Sequence, residues 1–240
     1  MLAPMPRPVR RPRSVGRLVL GAVGAGVAAI ALAGCAGLGQ PAPYDSPGIN
    51  GLVIPTPAPD PDDFVTGVDN PWLSLEPGSG WRYDVTEDGR EVGTIDAEVL
   101  GGTTEVAGLT ATSVRTTVAI DGDTDETTRS YAQDEDGNVW LVAVESPSGV
   151  SWTAGEDGAE AGLAMPADPR LGDGWLAYAV PGLGEASTTV EDQSPDMVQT
   201  REVGWTEPGT TTRHVYASGA GLVSVEDVDA GWRAVLVDQP

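Results

Sequence analysis

Turn signals set what this chain can fold into. Between residues 76 and 144, short runs alternating β-branched and polar residues are separated by Gly-bearing, acidic turns. The turns are Glu76-Pro77-Gly78, Glu87-Asp88-Gly89, Asp121-Gly122-Asp123 and Asp134-Glu135-Asp136-Gly137-Asn138. Gly and Asp supply the left-handed backbone that tight hairpins need, and a period of two gives each run one buried face. The runs predict strands over 81–85, 92–100, 114–120, 127–133 and 139–144, and again over 206–217, 221–226 and 232–237. Only 157–164 and 181–186 offer weak helical candidates. The expected fold is mainly β: a single antiparallel meander forming a curved sheet, half-barrel or barrel.

The N-terminus follows a different logic. Residues 1–17 are basic, and 18–33 (LVLGAVGAGVAAIALA) are apolar and uncharged. This is the layout of a signal peptide, here with a signal helix, and the run is short of the ~20 residues of a membrane span. Arg10-Arg11 raises a twin-arginine route, but Pro12-Arg13-Ser14 fits that pattern poorly. Leu32-Ala33-Gly34-Cys35 closes the segment and resembles the lipobox of bacterial lipoproteins. The resemblance implies diacylglycerol on Cys35 and cleavage after Gly34. Two acyl chains anchor a protein stably at about 0.8 kcal/mol per buried methylene. Residues 36–62 carry seven prolines and form a semi-extended tether. The expected organisation is a lipoprotein signal peptide (1–34), a lipidated Cys and Pro-rich tether (35–62) and a mainly-β envelope domain (63–240).

Charge divides at the same cysteine. Five of the 13 basic residues, all Arg, precede Cys35, leaving eight against 36 acidic residues in 35–240, a formal charge of −28. Such a surface repels nucleic acid, so none is expected as a partner. With a single cysteine there is no intrachain disulfide.

Several segments, in order, resemble a function-unassigned family of bacterial secreted or lipid-anchored mainly-β proteins. They are Asn70-Pro71-Trp72 with Leu75-Glu76-Pro77-Gly78 and Trp81-Arg82-Tyr83; Tyr131-Ala132-Gln133-Asp134 with Asp136-Gly137-Asn138-Val139-Trp140; 154–159 with Met165-Pro166-Ala167-Asp168-Pro169; and Tyr216-Ala217 with 219–223. The resemblance covers about 70–226 and implies one mainly-β envelope domain with no transferable catalytic residue. Val142-Ala143-Val144 departs from it, where that family tends to show an aromatic-Gly-Glu turn.

The chemistry-bearing residues do not form a reactive constellation in the sequence. Asp121, Asp123 and Asp125 alternate like a calcium loop, but Glu126 and Ala132 stand where an EF-hand needs Gly and Glu. Asp134, Asp136 and Asn138 repeat the spacing at the other end of a shared strand, and both sets read as solvated hairpin turns. His214, the single histidine, lies within a strand, and no Gly-x-Ser-x-Gly accompanies it. No catalytic residue, metal or cofactor is therefore expected. Seven tryptophans against one Phe are the main apolar feature, read chiefly as core. Within the long Gly- and Pro-rich 152–175 stretch, Trp152, Met165 and Trp175 are the candidate rim of a ligand site.

The expected function is a lipid-anchored, non-catalytic binding module for an apolar or lipid-like ligand, exported and held at the outer face of the cell membrane. A module binding an envelope protein through strand edges or the 154–169 loop is the alternative, and a hydrolase built on paired carboxylates comes third. Replacing Cys35 with Ala should shift the protein from the membrane to the soluble fraction on cell fractionation. Continued membrane partitioning of an unprocessed chain would contradict the lipoprotein reading.

Overall fold

The computed structural model describes residues 59–183, 186–204 and 210–239, all within one compact unit, Tyr44–Pro240. The signal helix, Cys35 and nearly all of the tether lie outside the described residues. After a 3-10 turn, Pro61–Asp63, come β1 (Phe64–Val65), β2 (Asp69–Asn70), β3 (Leu73–Ser74), β4 (Gly80–Glu87) and β5 (Arg90–Val99). Next are β6 (Thr104–Val106), β7 (Leu109–Ile120), β8 (Asp123–Asp134), β9 (Val139–Glu145), β10 (Trp152–Thr153) and β11 (Gly162–Met165). The second half holds β12 (Gly174–Tyr178), β13 (Ala186–Ser194), β14 (Met197–Val203), β15 (Thr211–Ala217), β16 (Gly221–Asp227) and β17 (Trp232–Asp238). Two hairpin turns use the residue pairs read from sequence: Asp88 and Gly89 have φ of 50° and 76°, Asp121 and Gly122 51° and 91°. Both central residues at positive φ match the type I′ turn, whose twist suits the flanking strands.

Fifteen strands form one antiparallel sheet in the order β10-β9-β8-β7-β5-β4-β17-β16-β15-β14-β13-β12, with β1 on β8, β6 on β7 and β11 on β9. It is two meanders, β4–β10 and β12–β17, joined where β17 pairs with β4. The same two meanders are also joined by covalent chain at their far ends. By sheet order β11 and β12 are eleven strand spacings apart, about 50 Å if the sheet were flat. The eight residues between them, 166–173, span at most about 30 Å. A flat sheet is therefore unavailable, and the strands curl until the two ends meet.

They meet at a seam rather than a ladder, so the sheet is curved but not closed. Glu160 and Ala179 form one isolated antiparallel bridge, with Glu160 N–H to Ala179 O at 2.7 Å. The Trp175 indole Nε1 donates to Leu163 O at 2.6 Å. The rings of Trp152 and Tyr178 lie 5.9 Å apart. Gly162 allows the approach: a Cβ there would sit 1.7 Å from the Ala177 carbonyl oxygen.

A short insertion, residues 68–75 with β2 and β3, plugs one end of the curl. Asn70 anchors it with every side-chain valence used. Its Nδ2 donates to Gly137 O at 2.9 Å and Pro166 O at 3.1 Å, and its Oδ1 accepts from Trp72 N at 2.8 Å and Leu73 N at 3.3 Å. The Gln133 Oε1 accepts from the backbone of Asp69 and Asn70 at 2.9 and 3.0 Å. Asp134 sits beside this hub and accepts from Asn138 N, Asn138 Nδ2 and Trp140 Nε1, the last at 2.9 Å. Asn138 Oδ1 in turn accepts from Ala167 N at 3.0 Å. Segments around 70, 133–140 and 165–167, far apart in sequence, thus converge on one buried polar cluster.

Three local expectations are corrected. The 157–164 stretch is not helical: it turns, bridges through Glu160 and becomes β11. Of 181–186, Pro181 and Gly182 form a turn, 184–185 lie outside the described residues and Ala186 opens β13. Asp134 and Asn138 are not a solvated turn but buried, because three donors compensate the carboxylate's desolvation. The two acidic turns do sit at opposite ends of β8.

Gly162→Ala forces a methyl into the seam backbone and should destabilise the domain by about 3 kcal/mol in chemical denaturation, the upper range of overpacking. Gly101→Ala, where a Cβ meets nothing within 4 Å, should stay within about 0.5 kcal/mol of the parent.

Candidate functional site

The concave face of the sheet encloses a cavity of about 550 Å³, well within the ~300–1,000 Å³ of small-molecule sites. Its position follows from strand alternation. Residues two apart on each strand point to the same side, so Trp81 and Tyr83, Val114, Thr116 and Val118, and Thr212, His214 and Tyr216 all face inward and line it. The plug closes one end with Leu73, Ser74 and Leu75. Half-exposed Trp232 and Asp227 stand at the opposite rim.

Much of the wall is apolar, with Ile95, Leu141, Leu163, Leu222 and Val225 among the lining residues. Set into it is a polar cluster: Arg129 and Tyr131 from β8, Thr200 and Glu202 from β14, His214 and Tyr216 from β15. Seven strand spacings separate β8 from β14 along the sheet, about 33 Å if flat. Curling brings them into one electrostatic neighbourhood, in which Arg129 acts on Glu202, His214, Tyr131 and Tyr216.

Enclosure sets the ionisation of this cluster. His214 is half-buried and lines the cavity; desolvation, then the Arg129 charge, holds its imidazole down to about 4. Desolvation raises the Glu202 carboxyl, and Arg129 partly offsets the rise. The phenols of Tyr131 and Tyr216 are raised, again chiefly by burial. The His214 and Tyr216 rings stack at 6.3 Å with an interplanar angle of 29°. Tyr83 donates its hydroxyl to Leu222 O at 2.8 Å. The Trp81 indole N–H is buried with no hydrogen-bond partner among the described residues.

Asp227, the other carboxylate on the lining, is already occupied. Its Oδ1 accepts from Asp229 N at 3.1 Å and Ala230 N at 2.8 Å, capping the turn before β17. Among the described residues no group of three or more His, Cys, Asp or Glu side chains is arranged to hold a metal.

The sequence-predicted rim residues lie elsewhere. Trp152, Met165 and Trp175 are all buried near the seam, and none lines the cavity, although their neighbours Leu163, Ala164 and Ala177 do. Trp81 and Trp232 are the tryptophans on its wall, and Trp205 lies outside the described residues. Arg129 and Glu202 escaped the sequence reading. Their one signal was spacing: Arg129 is two residues from Tyr131, and Glu202 two from Thr200, on the inward phase of their strands.

No family model matches the chain, and no curated protein matches it. A similar solved structure is a protein from Bacteroides fragilis described as exported, with a YmcC-like fold. It is 13% identical, the match covers 74% of this chain and 99% of that one, and the TM-score is 0.37.

The folded His214 binds its proton near pH 4, and an unfolded histidine near 6.5. Between these values the unfolded chain holds more protons, so His214 contributes stability above pH 6.5 that is lost as pH falls through 4. The stability advantage of the parent over His214→Gln should shrink by up to about 3 kcal/mol across that window, measured by urea unfolding at each pH.

Proposed function

We propose that this chain is an exported, lipid-anchored protein of the bacterial cell envelope that holds an apolar or lipid-like ligand inside its curved sheet without transforming it. The observation that carries the reading is the cavity of about 550 Å³: its apolar wall with a small inset of polar groups is the usual make-up of a small-molecule site. Leu32-Ala33-Gly34-Cys35 after an apolar segment supports export and anchoring. The acidic surface supports a soluble domain tethered at the membrane rather than one lying on anionic headgroups.

Binding is favoured over hydrolysis by the use made of the polar groups. Paired-carboxylate hydrolysis needs two carboxyl groups free to exchange protons across the substrate. Here Glu202 faces the cavity, while Asp227 is held by backbone N–H groups of its own turn. His214 stacks on Tyr216, with no serine in hydrogen-bonding contact with it among the described residues.

Native mass spectrometry of the protein purified from its own host, without delipidating detergent, should reveal a bound species of small-molecule mass. Thr116→Trp, which fills the cavity from β7, should abolish that adduct while leaving the β-sheet circular dichroism unchanged. An adduct that survives Thr116→Trp, or its absence from the parent protein, would remove the basis of the reading.

A further inference from the structure

Resting on the binding function proposed above, we infer that the cavity selects an uncharged amphiphile: an acyl chain or comparable apolar body carrying a hydroxyl- or carbonyl-bearing head with no net charge.

The first support is the geometry of the polar inset. The hydroxyl-bearing residues Tyr131, Tyr216, Thr200 and Thr212 line the cavity from β8, β14 and β15. No side-chain hydrogen bond to another described residue engages them, unlike Tyr83, which is spent on Leu222 O. Neutral hydroxyls both donate and accept, so they match hydroxyls and carbonyls on a ligand, whereas a charged head needs a committed countercharge. The apolar side chains between these groups suit an attached hydrocarbon body.

The second support is that two lining groups of opposite type, His214 and Glu202, are each disfavoured in their charged forms. His214 is held neutral by desolvation and by Arg129, and the same environment would oppose an incoming ammonium. Desolvation works against ionisation of Glu202, and it would do the same to an incoming carboxylate. Among the described lining residues the one arginine, Arg129, already acts on Glu202, and such a carboxylate would pass Asp227 at the rim. The −28 formal charge of residues 35–240 adds long-range repulsion of anions.

Three probes with one C18:1 chain and different heads separate these cases: monoolein, oleate and oleylamine. Each competes below its aggregation limit against a fluorescent acyl probe on the purified protein at pH 7.5. Monoolein should displace the probe at least tenfold more tightly than either charged analogue, a difference of about 1.4 kcal/mol. The double variant Tyr131→Phe/Tyr216→Phe should lose about tenfold in monoolein affinity and leave that of oleate unchanged, provided its thermal transition stays cooperative. If oleate or oleylamine matches or exceeds monoolein, the head-group inference is overturned while the binding function stands. Failure of all three to bind, together with no native adduct, would overturn both.

Discussion

The structure depends on a constraint of chain length. Two meanders share an edge at β4–β17 and are tied again at their far ends by the eight residues between β11 and β12. A sheet of this many strands twists and coils on its own, but the short link decides how far. It draws β11 onto β12, and the contact is only close enough because Gly162 carries no side chain against the Ala177 backbone. The enclosed interior, the convergence of β8 with β14 and the need for a plug all follow. The Asn70, Gln133 and Asp134 cluster fixes that plug and the link together, since Asn70 bonds both Gly137 and Pro166.

Charge is sorted by face. On the convex side Arg82 pairs with Asp96, Arg115 with Glu98, and Arg201 and Arg213 with Glu191. These exposed pairs contribute little individually, but they occupy the outward phase of β4, β5, β7 and β13–β15. The concave side holds Arg129, Glu202, His214 and hydroxyl-bearing residues in a largely apolar wall, with Asp227 at its rim. A charge costs far more there than outside, which is why the ionisation of His214 and Glu202 departs from that of solvated residues.

Much of the fold was legible in the sequence because hairpin chemistry is local. Asp88-Gly89 and Asp121-Gly122 specify their turns with two residues each, and the strands beside them lie where alternation placed them. β13 and β14 were less legible: a register shift between Val190 and Asp192 breaks the period, and Glu191, Asp192 and Gln193 look like loop. β11 was mistaken for weak helix because 157–164 is rich in Ala and Gly, and its strand character comes from pairing with β9. The cavity was the least legible part. On a single strand a charged residue such as Arg129 or Glu202 reads as outward-facing. Their spacing from Tyr131 and Thr200 sets a shared face, but only the curling of the sheet, a property of the whole chain, makes that face the interior and brings two strands seven spacings apart into one site.

The β4–β17 pairing has a consequence for how the molecule assembles. Val85 faces Ala234 across that ladder, a contact between residues about 150 positions apart in sequence. Long-range pairing of this kind makes folding slow, because loop-closure entropy is spent before the contact forms. β16 and β17 form a local hairpin, but until β17 meets β4 both of those strands are open edges, and open edges recruit other strands. The cavity is therefore enclosed only when the two meanders join along β4 and β17. A chain passed across a membrane N-terminus first would stay unable to enclose a ligand until nearly all of it had crossed.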